Sequence, residues 1–261
     1  MKRWVSYALT GLAGAIFFIG CALILHCSDL SLAQTTCGSI STHFTDTLGF
    51  VTDDDVKKWI SEGYGGCIGQ NVDEIRLHEI EALIESKSAV RTAEAWICSD
   101  GVLNVSISQR EPVMRFIYPD GSGFQVDDRG GIFPLHRSYK ADVLEVCGEI
   151  PFSVSPGYTG RAENGKDALW ISRMLALQHY IEASPEWKNR VCGIHVRKNG
   201  DLVLSMAEAD EKFIFGGPVE LEEKFDGISK YYSYIRPEKG DNFYKSVNVK
   251  YNGQIICRKD M

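Results

Sequence analysis

The stretch VRTAEAWICSDGVLNVSISQ, from Val90 to Gln109, reads as two strands joined by a turn. Val90–Ile97 favours extended backbone and Asp100-Gly101 is a turn pair. Leu103, Val105 and Ile107 then alternate with polar neighbours, the two-residue period of a half-buried strand. Upstream, Val72 to Ser86 places Leu77, Ile80 and Ile84 on one helical stripe, with Leu83 beside it. Asp73 and Glu74 in the first turn and Lys87 at the end suit the helix dipole. Earlier still, Thr52 is an N-cap and Asp55 closes its capping box, opening a helix Asp53–Glu62 that stops at Gly63. Gly65-Gly66 mark the loop beyond, and Gly38–Phe44 is extended. The order is strand, helix, helix, strand, strand. It describes an α+β unit of one sheet and two helices.

After Gln109-Arg110-Glu111-Pro112 the texture turns mostly to strand. Met114–Tyr118, Phe124–Val126 and Ile132-Phe133 form a meander, separated by the turns Asp120-Gly121 and Asp128-Arg129-Gly130-Gly131. Ala141–Cys147 adds an apolar strand. A helix Lys166–Ala183 turns Ile171, Met174, Leu175 and Ile181 inward. Strands recur at Val191–Arg197, Leu202–Met206 and Phe213–Phe215. A second helix opens at Pro218, a favoured first position, and carries Leu221, Phe225, Ile228, Tyr232 and Ile235 on one stripe.

The chain closes with Val247–Tyr251, Asn252-Gly253 and Gln254–Arg258. Asn-Gly between strand-like runs is a strong hairpin signal. A two-residue turn there pairs Tyr251 with Gln254 and Val249 with Ile256, and sets Ile255 and Cys257 on the face of Asn248 and Lys250. Both faces of the last strand are then partly apolar, and only Lys250 and Arg258 blunt it with charge. Such a strand is either covered by another element of its own domain or open to a partner's strand.

Bulk properties bound the function. The 261 residues are 44% hydrophobic and 24% charged, ordinary for folded protein, and the net charge of −7 disfavours nucleic-acid binding. From Trp4 to Leu25 there is no charged residue; at ~1.5 Å per residue that run spans a ~30 Å hydrocarbon core. Lys2 and Arg3 precede it and the next charge is Asp29, so the positive-inside tendency leaves residues 1–3 cytoplasmic and everything from about His26 outside. Two other readings of the segment exist. Ser31-Leu32-Ala33 has the small residues of a signal-cleavage site, and Phe18-Ile19-Gly20-Cys21 is lipobox-like. The apolar run is longer than a signal peptide's core, however, and it continues past Cys21, which favours an anchor.

No catalytic or metal constellation is visible. Asp53-Asp54-Asp55 sits at a helix start, where acids serve the dipole and cap, and Asp127-Asp128 belongs to a turn. His26, His43, His78, His136, His179 and His195 are scattered and make no HExxH. There is no GxSxG, Walker A or GxGxxG, and Gly63, Gly65, Gly66 and Gly69 fall in a loop between helices. Neither cofactor nor metal is expected. Cys27, Cys37, Cys67, Cys98, Cys147, Cys192 and Cys257 lie outside the anchor with no CxxC; they allow one structural disulfide, and the sequence does not choose the pair.

The order as a whole resembles the bacterial cell-division protein FtsQ, or DivIB, family. The carriers are Phe50-Val51-Thr52-Asp53-Asp54-Asp55-Val56, the Gln109-Arg110-Glu111-Pro112 junction, Gln125-Val126-Asp127-Asp128-Arg129-Gly130-Gly131-Ile132-Phe133-Pro134-Leu135, and Val247-Asn248-Val249-Lys250-Tyr251 followed by Asn252-Gly253-Gln254-Ile255-Ile256-Cys257. The resemblance implies an α+β chain: a cytoplasmic tail 1–3, a single N-terminal transmembrane helix 4–25, a linker 26–37, a POTRA-like domain 38–112 and a mostly β domain with two helices, 113–258. It implies a non-enzymatic divisome scaffold at the cell inner membrane, its bulk periplasmic, joining FtsB-like and FtsL-like partners to septal peptidoglycan synthesis. In the family the terminal edge pairs with a strand from FtsB, by β-augmentation. That would place partner binding here on Val249, Tyr251, Gly253, Gln254, Ile255, Ile256 and Cys257. The tail Met1-Lys2-Arg3 is much shorter than in many members, which puts contacts made through it in doubt. Competing functions are a POTRA protein of envelope export or assembly, and an anchored cell-wall enzyme. About 150 residues after the POTRA-like unit, broken by two helices, do not supply the alternating strands of a membrane barrel.

Overall fold

The computed structural model describes residues 35–135, 142–207, 209–241 and 243–259. The expected transmembrane helix and its tail lie outside them; among the described residues no helix is long and apolar enough to cross a membrane. The chain divides between Gln109 and Arg110 into two compact units.

The first unit has three strands, β1 (Ser39–Phe44), β2 (Val90–Ile97) and β3 (Val102–Gln109), in the order β1-β3-β2. β3 runs parallel to β1 and antiparallel to β2, so the second arm of the hairpin is the central strand of the sheet. Leu103, Val105 and Ile107 are fully buried, as their alternation requires, and face Val56, Ile60, Ile80 and Ile84 from the helices. Gly101 has φ +79°, and a Cβ there would lie 2.4 Å from the Thr36 carbonyl oxygen, so both conformation and space demand glycine. Thr52 and Asp55 make the reciprocal capping box that opens helix α1 (Asp53–Trp59).

Both helices depart from their expected ends. Helix α1 does not stop at Gly63; it continues as a π-turn, Ile60–Tyr64, and ends at Gly65, whose φ is +100°. Gly63 is there for packing, since a Cβ on it would meet Leu83 Cδ1 at 2.6 Å. The second helix is split. A short 3₁₀ turn, Val72–Glu74, is capped by the Asn71 side chain, and extended backbone follows at Ile75 before helix α2 (Leu77–Glu85) begins. The break lets Ile75 drop into the core, and the Tyr64 hydroxyl accepts the Arg76 N–H at 2.8 Å.

The second unit is a nine-stranded mixed sheet. Its strands are β4 (Pro112–Ile117), β5 (Gly123–Asp127), β6 (Ile132–Pro134), β7 (Leu144–Gly148), β8 (Val191–Val196), β9 (Leu202–Met206), β10 (Ala209–Gly216), β11 (Ser246–Asn248) and β12 (Ile256–Arg258). The order is β12-β11-β10-β9-β8-β7-β4-β5-β6. Parallel neighbours need a crossover, and helices supply two of them: α3 (Gly165–Ala183) joins β7 to β8, and α4 (Leu221–Lys230) lies between β10 and β11. Phe116, Phe124, Val146, Ile194, Leu204, Phe213 and Val247 share the core with residues of both helices.

The inward set of α3 is Ile171, Met174, Leu177 and Ile181; Leu175 is only half-buried. Helix α4 starts at Leu221 and not at Pro218. Glu220 has a left-handed φ of 54°, and the buried Lys224 ammonium turns back to the carbonyls of Gly217 and Val219 at 2.9 and 2.6 Å. A π-turn, Tyr231–Ile235, follows, before a last helical turn α5 (Arg236–Lys239). The extra residue per turn slips the stripe by one, so Tyr231 is fully buried and Tyr232 only partly. The Tyr231 hydroxyl donates to the buried Glu211 carboxylate at 3.0 Å, and burial and that carboxylate together push its ionisation well above the usual phenol range.

Side chains on either side of the Gln109–Arg110 boundary fasten each unit internally. Gln109 is 3% exposed; its Oε1 accepts the Val51 N–H at 2.8 Å, while Asp46 accepts from its Nε2 and backbone N–H. Arg110 pairs with Asp127 at 3.2 Å, and Asp127 Oδ1 also accepts the N–H groups of Arg129 and Gly131 at 3.0 and 2.7 Å. Replacing Asp127, itself 2% exposed, by Ala takes the acceptor away from all three donors. We expect D127A to lose about 2–4 kcal/mol of stability, read as a lowered denaturation midpoint.

Candidate functional site

The last thirteen residues described, 247–259, contain the features singled out in the sequence, and their geometry differs from a tight hairpin. β11 lies parallel to β10, with Phe213 opposite Val247 and Ile214 opposite Asn248. β12 returns antiparallel, with Val247 opposite Cys257 and Asn248 opposite Ile256. The strands are thus three residues each and not five, and residues 249–255 are a loop. The register is one residue from that of a two-residue turn, which reverses the faces: Cys257 shares the core side with Val247, and Ile256 lies with Asn248 on the other.

Two local causes produce the slip. A type I′ turn needs positive φ at both central residues, but here only Gly253 has it, at +69°. The turn that does form closes through the Gln254 N–H donating to the Tyr251 carbonyl at 3.2 Å. The second cause is Val249. Its N–H donates to the Ile214 carbonyl at 3.0 Å, holding it on the β10 side, and its side chain is 3% exposed against helix α4. Gly227 on that helix makes the approach possible, since a Cβ there would lie 3.3 Å from Val249 Cγ1. Lys250 ties the loop to Asp201 at 2.8 Å, and that hydrogen bond raises the lysine's pKa.

The structure therefore separates the seven expected binding residues. Val249 is in the core, and Ile255 and Cys257 are half-buried against it. Tyr251, Gly253 and Gln254 are exposed in the loop, and Ile256 is the apolar side chain that β12 itself shows to solvent, at 39%. Phe243, 40% exposed just before β11, was not anticipated; the Lys259 ammonium stands 4.3 Å over its ring. The Phe243-Tyr244 pair ahead of β11 was the available signal. Also unanticipated is a groove of about 150 Å³ beside the loop, where Glu220, Glu223 and Asp226, together with Lys224 and Lys230, line one side and Tyr251 and Gln254 the other. Lys230 answers Asp226 at 2.6 Å.

The two ends of the sheet are unlike. Beyond β6, Ile132 and Gly160 exchange backbone hydrogen bonds of 2.6 and 3.0 Å, so that edge is bridged. Beyond β12, no backbone partner stands among the described residues. The family model described as FtsQ/DivIB, C-terminal related, matches residues 111–258, more than half of the chain and the whole of the nine-stranded sheet. The chain belongs to the FtsQ/DivIB family. A POTRA-like domain matches residues 35–108, the three-stranded unit. No individual curated protein matches the chain. Family membership associates the protein with cell division.

The Asp-rich helix start and turn carry structural duties. Asp53 pairs with Lys57 and accepts from Thr42, which together hold its carboxyl below the usual range, and Asp127 is the turn anchor described above. Among the described residues no group of three His, Cys, Asp or Glu side chains converges to hold a metal.

Val249 and Asn252 test the geometry of the loop. V249A empties a packed core position and should cost about 1.5–3 kcal/mol of stability in denaturant titration, whereas N252A, at an exposed turn, should cost less than about 0.5 kcal/mol.

Proposed function

We propose that the protein is a non-enzymatic divisome scaffold that takes an FtsB-like strand onto the outer edge of β12, together with an FtsL-like partner, outside the inner membrane. Through that complex it helps recruit or regulate septal peptidoglycan synthesis. The observation that carries this reading is the asymmetry of the sheet in the family's own C-terminal domain: the β6 edge is bridged by Gly160, while among the described residues no strand pairs with the outer edge of β12. An unpaired edge offers a row of N–H and C=O groups to an incoming strand.

The surroundings support a strand of defined chemistry. Ile256, Tyr251 and Phe243 give it apolar contacts on and beside β12. The groove beside the loop, lined by Glu220, Glu223 and Asp226 with Lys224 and Lys230, offers polar contacts of both signs where the partner passes. The three-residue length of β12 makes the edge short, so affinity depends on those flanking side chains as well as on backbone pairing. Anchoring by Trp4–Leu25 would confine the chain and its partners to one bilayer and raise their effective concentration.

The test is capture of FtsB-like and FtsL-like proteins by the full chain. Ile256→Glu puts a charge on an exposed position of β12, so it should leave the circular dichroism and melting temperature unchanged and weaken capture at least tenfold. Cells depleted of the protein should filament without losing outer-membrane proteins. Undiminished capture by I256E would contradict the edge reading, and lost outer-membrane proteins without filamentation would favour a role in export or assembly.

A further inference from the structure

The six described cysteines are thiols, and four of them have neighbours other than cysteine. Cys98 accepts from the Asn104 amide at 3.3 Å, Cys147 faces His195 Nδ1 at 3.6 Å, Cys192 donates to the Ser205 carbonyl at 3.3 Å, and Cys257 lies beside Tyr231. Cys37 and Cys67 differ. Each is 1% exposed and both belong to the core of the POTRA-like unit; the Cys37 thiol donates to the Ser39 carbonyl at 3.7 Å, and the Cys67 thiol lies beside it.

Backbone geometry fixes this contact. Thr36 and Asn71 form an antiparallel bridge just outside it. Inside it, the Cys37 N–H donates to the Gln70 carbonyl at 2.9 Å and the Gly69 N–H donates to the Cys37 carbonyl at 2.7 Å. The Gln70 N–H closes the turn onto the Cys67 carbonyl at 3.1 Å. Four backbone groups thus hold residue 37 against the 67–70 turn, whichever state the sulfurs are in. Cys67 also lines an open, largely apolar groove of about 530 Å³ with Ile40, Lys57, Lys58, Ile60 and Ile68. That groove is a route for a small disulfide to reach a sulfur otherwise enclosed.

We propose that Cys37 and Cys67 are a disulfide site, formed by exchange with a disulfide oxidant that enters through this groove. In the first step the Cys67 thiolate attacks one sulfur of the oxidant. Cys67 first gives its proton to solvent; a mixed disulfide then forms and one thiolate leaves, taking a proton back from solvent. In the second step the Cys37 thiolate attacks Cys67 Sγ and expels the second thiol. Two cysteine thiols are oxidised to one disulfide and one oxidant disulfide is reduced to two thiols. The bond ties the entry of β1 to the turn after the first helix and encloses residues 38–66. A loop of that length restrains the unfolded chain, and the native backbone already holds its ends together, so oxidation stabilises the unit. Burial, and the neighbouring Cys37, push the Cys67 thiol above its ordinary value, so exchange quickens as pH rises. The site is independent of what binds β12.

The experiment uses the full chain, reduced and then held in oxidised glutathione, once natively and once through unfolding and refolding. Free thiols are then alkylated and peptides are mapped without reductant. A Cys37–Cys67 linkage should dominate in both arms, forming faster at pH 9 than at pH 7 in the native arm. The melting midpoint of the first unit should rise by roughly 5–15 °C over the reduced protein. The C37A/C67A double variant should show no such shift. With Cys37→Ala alone, Cys67 should stop at the glutathione adduct. Full alkylation of both residues after the refolding arm, or a dominant linkage of either one to another cysteine, would overturn the proposal. Linkage only on refolding would overturn the groove as the route of entry.

Discussion

Parallel strands cannot be joined by a tight turn, and the parallel pairing of β11 on β10 therefore governs the C-terminal end of this protein. To run β11 beside β10 in the same direction, the chain must leave the sheet at Gly216 and travel its length before re-entering. Helix α4, the π-turn and α5 make that journey, and they bury Phe225, Ile228 and Tyr231 on the way. The same pairing holds Val249 against Ile214 and thereby denies the chain a two-residue turn. β12 can then only be added outermost. An exposed final strand is a consequence of this crossover and not an ornament on it.

The residues that made the sequence resemble its family turn out to be mostly fasteners. Gln109 closes the POTRA-like unit onto Val51 and Asp46, and Arg110 closes the β unit onto Asp127. The Asp-Asp-Arg-Gly-Gly run is a turn in which one buried carboxylate serves two backbone N–H groups and a guanidinium, and a Cβ on Gly131 would meet that carboxylate at 2.6 Å. Motifs of this kind mark a fold because they are expensive to alter. They do not mark where a partner sits.

Much of the fold was legible because periodicity is a direct image of burial. Leu103, Val105 and Ile107, and Ile80 with Ile84, were placed by spacing alone and are fully buried. Departures arise where spacing stops being constant. Both π-turns insert a residue that no regular pattern encodes, which carried the first helix past Gly63 and moved burial from Tyr232 to Tyr231. On α3 Leu175 was taken in place of Leu177 because, four residues after Ile171, it falls at nearly the same angle; Leu177, three residues after Met174 and four before Ile181, is the one buried. At the proposed site the general location was legible and the register was not. Asn-Gly signals a turn, but it was outvoted by Val249, whose burial against Gly227 comes from residues more than twenty positions away.

That one-residue slip matters for function because it decides which side chains a partner meets. With Cys257 turned to the core, Ile256 becomes the apolar residue that β12 shows, and the loop carries Tyr251 and Gln254 to the rim of the groove beside α4. The most direct measurement of the account is amide hydrogen exchange across residues 246–259, with and without an FtsB-like partner segment. Outward-facing amides of β12 should exchange quickly in the free protein and slow at least tenfold on binding, with β6 unchanged. Full protection of β12 before any partner is added, or partner-dependent protection confined to another surface, would contradict it.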